Sequence, residues 1–142
     1  MISDWEIQIK AQIKRRFAQQ SANQSSNINK LVMSGYPINL IQKLPSTLAK
    51  QYSGCGYLFN NISFDGSETV LDLGSGAGID SYIASTFLDT GKVLSVDMTF
   101  EMLSNYNLNN MTRICADMEY LPIINSQIDL IIANASFNLS IN

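Results

Sequence analysis

The strongest chemical signal in the chain is the run Asp72-Leu73-Gly74-Ser75-Gly76-Ala77-Gly78. Alternating glycines permit a tight backbone bend and let a ligand approach the main chain without a Cβ in the way. A dinucleotide-binding turn spaces its glycines G-x-G-x-x-G. Here the spacing is G-x-G-x-G, with an acid two positions before the first glycine. A carboxylate in that place suits a ligand bearing a cationic amino-acid group better than a pyrophosphate. Two more acids follow. Asp97 comes about twenty residues after the glycines, where related nucleotide folds set an acid against a ribose diol. Asp117 closes the next strand-like segment, where it would face an adenine amino group. Taken singly, either acid also reads as a helix N-cap or a turn residue.

What is missing narrows the chemistry. The chain has no histidine. That removes the commonest general base, Ser-His catalysis and most zinc sites, and no metal is expected. Its two cysteines, Cys55 and Cys115, read as reduced thiols of a cytoplasmic protein rather than a disulfide framework. Cys115 is expected to be a small buried hydrophobe. A net charge of −3 argues against phosphate neutralisation, so nucleic acid is not an expected partner. No apolar run approaches the roughly 20 residues that cross a bilayer, so no membrane is expected either. Lys10, Lys14, Arg15 and Arg16 hint at a transit peptide, but Asp4 and Glu6 oppose that reading.

These residues need a scaffold that brings strand ends together. Thr69–Leu73, Lys92–Val96, Thr112–Ala116 and Gln127–Ala133 are short runs rich in β-formers. Between them, Ile79–Leu88 and Phe100–Asn107 read as helices. The alternation predicts an α/β fold, a partial parallel sheet of about four strands, with a mixed α+β domain as the alternative. Upstream, Trp5, Ile9, Ile13 and Phe17 recur every four residues and predict a helix over Asp4–Gln20. Gln20–Asn29 is Ser/Asn-rich and reads as a linker. Short helices are expected at INLIQKL and at Ser46–Gln51, with a polar turn over Asn60–Ser67. The expected division is residues 1–30, helix and linker, and residues 31–142, the ligand-binding unit.

VLDLGSGAGID, GKVLSVDMTFEML, ADMEYLP and IDLIIANASFNLS together resemble the Rossmann-like core of class I methyltransferases. The resemblance extends to the arsenite methyltransferases through Gln51–Leu58 (QYSGCGYL), Val96–Thr99 (VDMT) and Ala133–Leu139 (ANASFNL). It covers about Leu44 to the end. It implies S-adenosylmethionine as cofactor and a small-molecule methyl acceptor. By position it implies that Asp72, Gly74, Ser75, Gly76 and Gly78 hold the methionine part. Asp97 and Met98 would frame ribose and adenine, and Asp117 and Met118 would flank the adenine. Asn134 would sit beside the sulfonium, and Cys55 would match an arsenic-binding thiol or serve only as a turn cysteine.

Ser81 and Ala135 stand where the family carries cysteines. Trivalent arsenic is held by several thiolates, so the acceptor stays open between arsenic and another small molecule, such as a quinone precursor or a lipid. The family's sheet has seven strands and four are visible here. The chain therefore reads as a truncated core whose exposed sheet edge invites self-association. A non-catalytic S-adenosylmethionine-binding module is the remaining alternative.

Overall fold

A computed structural model describes residues 3–22, 28–103 and 106–141. The chain opens on helix α1 (Asp4–Ala22), started by a reciprocal capping box. The Ser3 N–H donates to Glu6 Oε2 at 2.5 Å, and the Glu6 N–H donates to Ser3 Oγ at 3.4 Å. Three short helices follow: α2 (Ile28–Met33), α3 (Ile38–Ile41) and α4 (Ser46–Ala49). The sheet consists of β1 (Thr69–Leu73), β2 (Lys92–Asp97), β3 (Met111–Cys115) and β4 (Leu130–Ala133), with helix α5 (Ile79–Ser85) between the first two strands.

All strand pairs are parallel, in the order β3-β2-β1-β4. The β1 strand pairs Asp72 with Ser95 on one side and with Ile132 on the other. From β1 the chain winds outward to β3, then returns to form β4 on the opposite side. That reversal makes the C-terminal end of β1 a topological switch point, where crevices open in α/β sheets.

Side chains alternate across a strand, so β1 builds two cores at once. Val70 points to one face and packs with Ile79, Ile83 and Val93, under Leu31, Ile41 and Leu48 of the short helices. Leu71 and Leu73 point to the other face and pack with Val96. Met118, Leu121, Ile123 and Ile128, from the connection between β3 and β4, cover that second face.

The structure departs from the sequence-based expectation in several places. Helix α1 runs to Ala22, two residues beyond the expected helix end at Gln20; residues 23–27 of the expected linker lie outside the described residues. Its far end, Ile28 and Asn29, already belongs to α2, a helix not expected, which is held by the fully buried Leu31. Helix α5 stops at Ser85 rather than Leu88. Ser85 Oγ donates to the Tyr82 carbonyl at 2.6 Å and Thr86 Oγ1 to the Ile83 carbonyl at 2.7 Å, and such back-bonding competes with helix continuation. In place of a helix over Phe100–Asn107 there is a 3₁₀ turn, Phe100–Met102; residues 104–105 lie outside the described residues. The segment is rich in Asn, which favours turns, and its Tyr106 is anchored on the glycine loop instead. Cys115 is exposed, not buried, because β3 is an outer strand in which no residue is fully buried. Among the described residues no helix is long and apolar enough to cross a membrane.

Ile83 joins α5 to the sheet and is 1% exposed. Ile83→Ala is expected to lower unfolding free energy by about 3 kcal/mol, read from urea denaturation midpoints. A loss below about 1 kcal/mol would show that α5 does not share the sheet's core.

Candidate functional site

The chain leaves β1 through Gly74–Gly78, and the bend is tied down on both sides. The Ser75 N–H donates to the Val96 carbonyl at 2.9 Å, fixing the loop to β2. Ser136, just beyond β4, donates its hydroxyl to the Leu73 carbonyl at 2.7 Å. Gly74 sits at φ +67°, and a Cβ there would stand 2.3 Å from the Ser136 Cβ. Gly78, at φ +89°, has the Tyr106 hydroxyl 2.7 Å from where its Cβ would be. That hydroxyl donates to the Gly78 carbonyl at 2.9 Å. Glycine is required at both positions for backbone conformation and for close approach.

The Asp97 carboxylate, at the end of β2, turns into the bend. Its Oδ2 accepts the Gly76 N–H at 2.9 Å and its Oδ1 accepts the Thr99 N–H at 2.7 Å. Burial raises its pKa, against the opposing pull of those amide bonds from Thr99 and Gly76. Asp72 lies deeper, 2% exposed. It accepts the Ser81 hydroxyl at 2.6 Å, and Ser81 Oγ lies 2.9 Å from Ser95 Oγ. Burial, reinforced by the negative charge of Asp80, pushes the Asp72 pKa up to about 7. Asp80, in the first turn of α5, accepts the Tyr36 hydroxyl at 2.7 Å and the Asn134 Nδ2 at 2.8 Å. Burial raises its pKa too. For Tyr36, burial and then the Asp80 carboxylate hold the phenol pKa far above its ordinary value, so it stays a proton donor.

Two cavities meet over the bend. The larger, open to solvent, is lined by Gly74, Gly76, Asp97, Met98, Asp117 and Met118. The smaller is lined by Asp72, Ser75, Gly78 and Asp80. Ser53, Gly74 and Asn134 line both. All nine residues expected to hold a ligand therefore border one cavity or the other. Cys55 borders neither. Its thiol is exposed, and only its backbone N–H reaches the site, donating to Asn134 Oδ1 at 2.8 Å. Ala135, between Asn134 and Ser136, adopts φ +60°, a left-handed conformation that is strained for a residue with a Cβ.

Several site residues escaped the sequence reading. Lys10, Ile13 and Phe17 of α1 line the larger cavity. Lys10 Nζ lies 2.6 Å from Asp117 Oδ2 and 2.5 Å from Glu119 Oε2. Asp80 carried a legible signal, an acid in the first turn of the helix after a glycine loop. The α1 contacts carried none, because they join residues more than a hundred positions apart.

A parallel sheet with its glycine loop at the switch point, and acids at the following strand ends, defines the class: a Rossmann-like α/β protein. Residues 64–142 match the family described as a methyltransferase domain, and the chain belongs to that family. An arsenite methyltransferase of Halobacterium salinarum is 35% identical over 95 residues, which are 61% of this chain and 24% of that protein. An arsenite methyltransferase of Aquipseudomonas alcaligenes is 31% identical over 116 residues, 71% of this chain and 33% of that protein. The chain thus spans about a quarter to a third of the length of these curated relatives. No solved structure gives a significant match.

The raised pKa of Asp72 sets a pH dependence. The unfolded chain releases this proton near pH 4 and the folded chain near 7, so between those values only the folded state holds it. Its contribution to stability therefore falls as pH rises from about 4 to about 7. Asp72→Asn is expected to flatten that fall, measured as urea midpoints across the range. Parallel wild-type and variant curves would refute the assignment.

Proposed function

We propose that the protein transfers a methyl group from S-adenosylmethionine to a small acceptor with a free lone pair, a soft nucleophile of the arsenite or thiolate kind. The observation that carries this reading is the Asp97 carboxylate turned into the glycine bend, 2.9 Å from the Gly76 amide, in the lining of the larger cavity.

The residues fit that cofactor. Asp72 and Asp80 border the smaller cavity, and among the described residues neither forms an ion pair, so they suit an ammonium. Ser75 borders it too, and its buried hydroxyl has no partner among the described residues. Asp97 keeps free lone pairs for ribose hydroxyls, since each carboxylate oxygen accepts more than one hydrogen bond. Met98 and Met118 offer polarisable apolar walls to an adenine, with Ile13 and Phe17 beside them and Asp117 near its amino group. When bound, S-adenosylmethionine supplies a methyl group already activated on a sulfonium. The chain's own part is to bind, orient and exclude water. A thiolate attacks already deprotonated, so its methylation needs no general base.

The acceptor's identity is drawn from both the relatives and the thiols. The relatives named above support arsenic. Cys55 hangs beside the site on Asn134, whereas Cys115 ends the strand on the far side of the sheet. Three strand spacings separate β3 from β4, roughly 14 Å, so the two thiols do not converge on one ion. Ser81 hydrogen-bonds Asp72, and Ala135 occupies the strained turn, where the family carries cysteines. These features fit a soft acceptor, arsenite first among them.

Calorimetric titration should give saturable binding of S-adenosylhomocysteine and none of NADH. Asp97→Ala is expected to weaken that binding about tenfold or more. Binding of NADH alone would end this reading. Methylation of arsenite in the presence of small thiols, set against a quinone precursor and a lipid, then identifies the acceptor.

A further inference from the structure

The side-chain amide of Asn134 is engaged on every side. Its Oδ1 accepts the Cys55 N–H at 2.8 Å. Its Nδ2 donates to the Gly56 carbonyl at 2.8 Å and to Asp80 Oδ2 at 2.8 Å, with the Tyr36 hydroxyl 3.2 Å away. An amide has two N–H donors, and both are used inside the protein. One lone pair of Oδ1 remains, too little for Asn134 to act mainly through contact with a ligand.

The surroundings are built for this one side chain. Gly54 passes so near that a Cβ there would stand 2.7 Å from Asn134 Nδ2 and 2.9 Å from its Cγ. Asp80 and Tyr36 are 7% and 3% exposed, so the bond from the amide to the carboxylate is charge-assisted and shielded from water. The left-handed Ala135 is held between two anchored neighbours, Asn134 on Asp80 and Ser136 on the Leu73 carbonyl. Strained conformations persist where the surroundings over-determine them.

We propose that Asn134 is a positioning residue: it clamps the Ser53–Gly56 segment, and Cys55 with it, against Asp80 and the glycine loop, so that this wall of the cleft and the ligand-binding loop move as one unit. The clamp is independent of the methyl-transfer reading; the identity of the ligand it serves rests on that reading.

Amide hydrogen exchange on the full chain tests it. The Cys55 amide reports the clamp. The Val93 amide, bonded to the Asn110 carbonyl at 2.8 Å, reports the sheet. Asn134→Asp replaces the donor facing Asp80 and Gly56 with an acceptor. Cys55 exchange is expected to quicken about tenfold while Val93 is unchanged. Adding Asp80→Asn returns a donor to the pair and should slow Cys55 exchange again by roughly threefold or more. Gly54→Ala keeps both partners and forces them apart, and it should give the same tenfold rise. Unchanged Cys55 exchange in Asn134→Asp and Gly54→Ala overturns the proposal, as does a double variant no slower than the single. If Asn134→Asp also loosens Val93, Gly54→Ala decides by the same criterion.

Ligand coupling separates positioning from mere structural support. S-adenosylhomocysteine should slow Cys55 exchange in the wild type and lose that effect in Asn134→Asp. Equal slowing in both overturns the coupling. A wild type that does not bind S-adenosylhomocysteine refutes the methyl-donor reading, while the exchange rates without ligand still judge the clamp.

Discussion

A carboxylate receiving two backbone N–H groups holds the working end of this molecule together. Asp97 accepts from Gly76 on one side and Thr99 on the other, and so joins the bend after β1 to the end of β2. Around it, the Ser75 amide reaches the Val96 carbonyl and the Ser136 hydroxyl reaches the Leu73 carbonyl. The bend is thereby tied to both strands that flank β1. Parallel pairing sets the strand ends level, and these bonds turn level ends into a defined pocket. The glycines take on a second meaning. Gly74 and Gly78 lack side chains so that Ser136 and Tyr106 of the protein itself can close in.

Three carboxylates are gathered within this one corner: Asp72, Asp80 and Asp97. Burying such groups without partners is costly, and the fold meets the cost with hydroxyls and amides rather than with Lys or Arg. Burial raises all three pKa values. Among the described residues no Lys or Arg forms an ion pair with any of the three, so the corner carries an excess of negative charge whenever they are ionised. Lys10 serves a different place, between Asp117 and Glu119, and brings α1 over the larger cavity. Glu119 extends the same tie to the chain after β4 by accepting from Ser140 Oγ and the Ile141 N–H.

The core of the site was legible because its signals are local. Thr69–Leu73 is a strand with the boundaries its composition implies, and the glycine loop follows it directly. Asp97 and Asp117 fall at or just beyond strand ends because strand length and connection length are set nearby in the chain. The errors lie where tertiary contacts override local preference. Phe100–Asn107 has helical spacing, but its described residues form only a 3₁₀ turn over Phe100–Met102, and Tyr106 bonds to the Gly78 carbonyl. Ile28–Met33 looks like the tail of a polar linker, yet Leu31 finds a fully buried seat and a helix results. Cys115 has the character of a core residue but ends an outer strand.

By itself, then, the order of residues determined the strands, the bend and the acids at the strand ends. Each depends on neighbours a few positions away, through steric limits on glycine and the period of two in a strand. Only the tertiary structure decided what surrounds them. Asn134 meets Cys55, Gly56, Tyr36 and Asp80 across separations of 54 to 98 residues. Lys10 meets Asp117 across 107. Hydrogen bonds of that span arise when the sheet order sets β4 beside β1 and lays α1 over the cleft. A folded backbone supplies that proximity, and no local spacing encodes it.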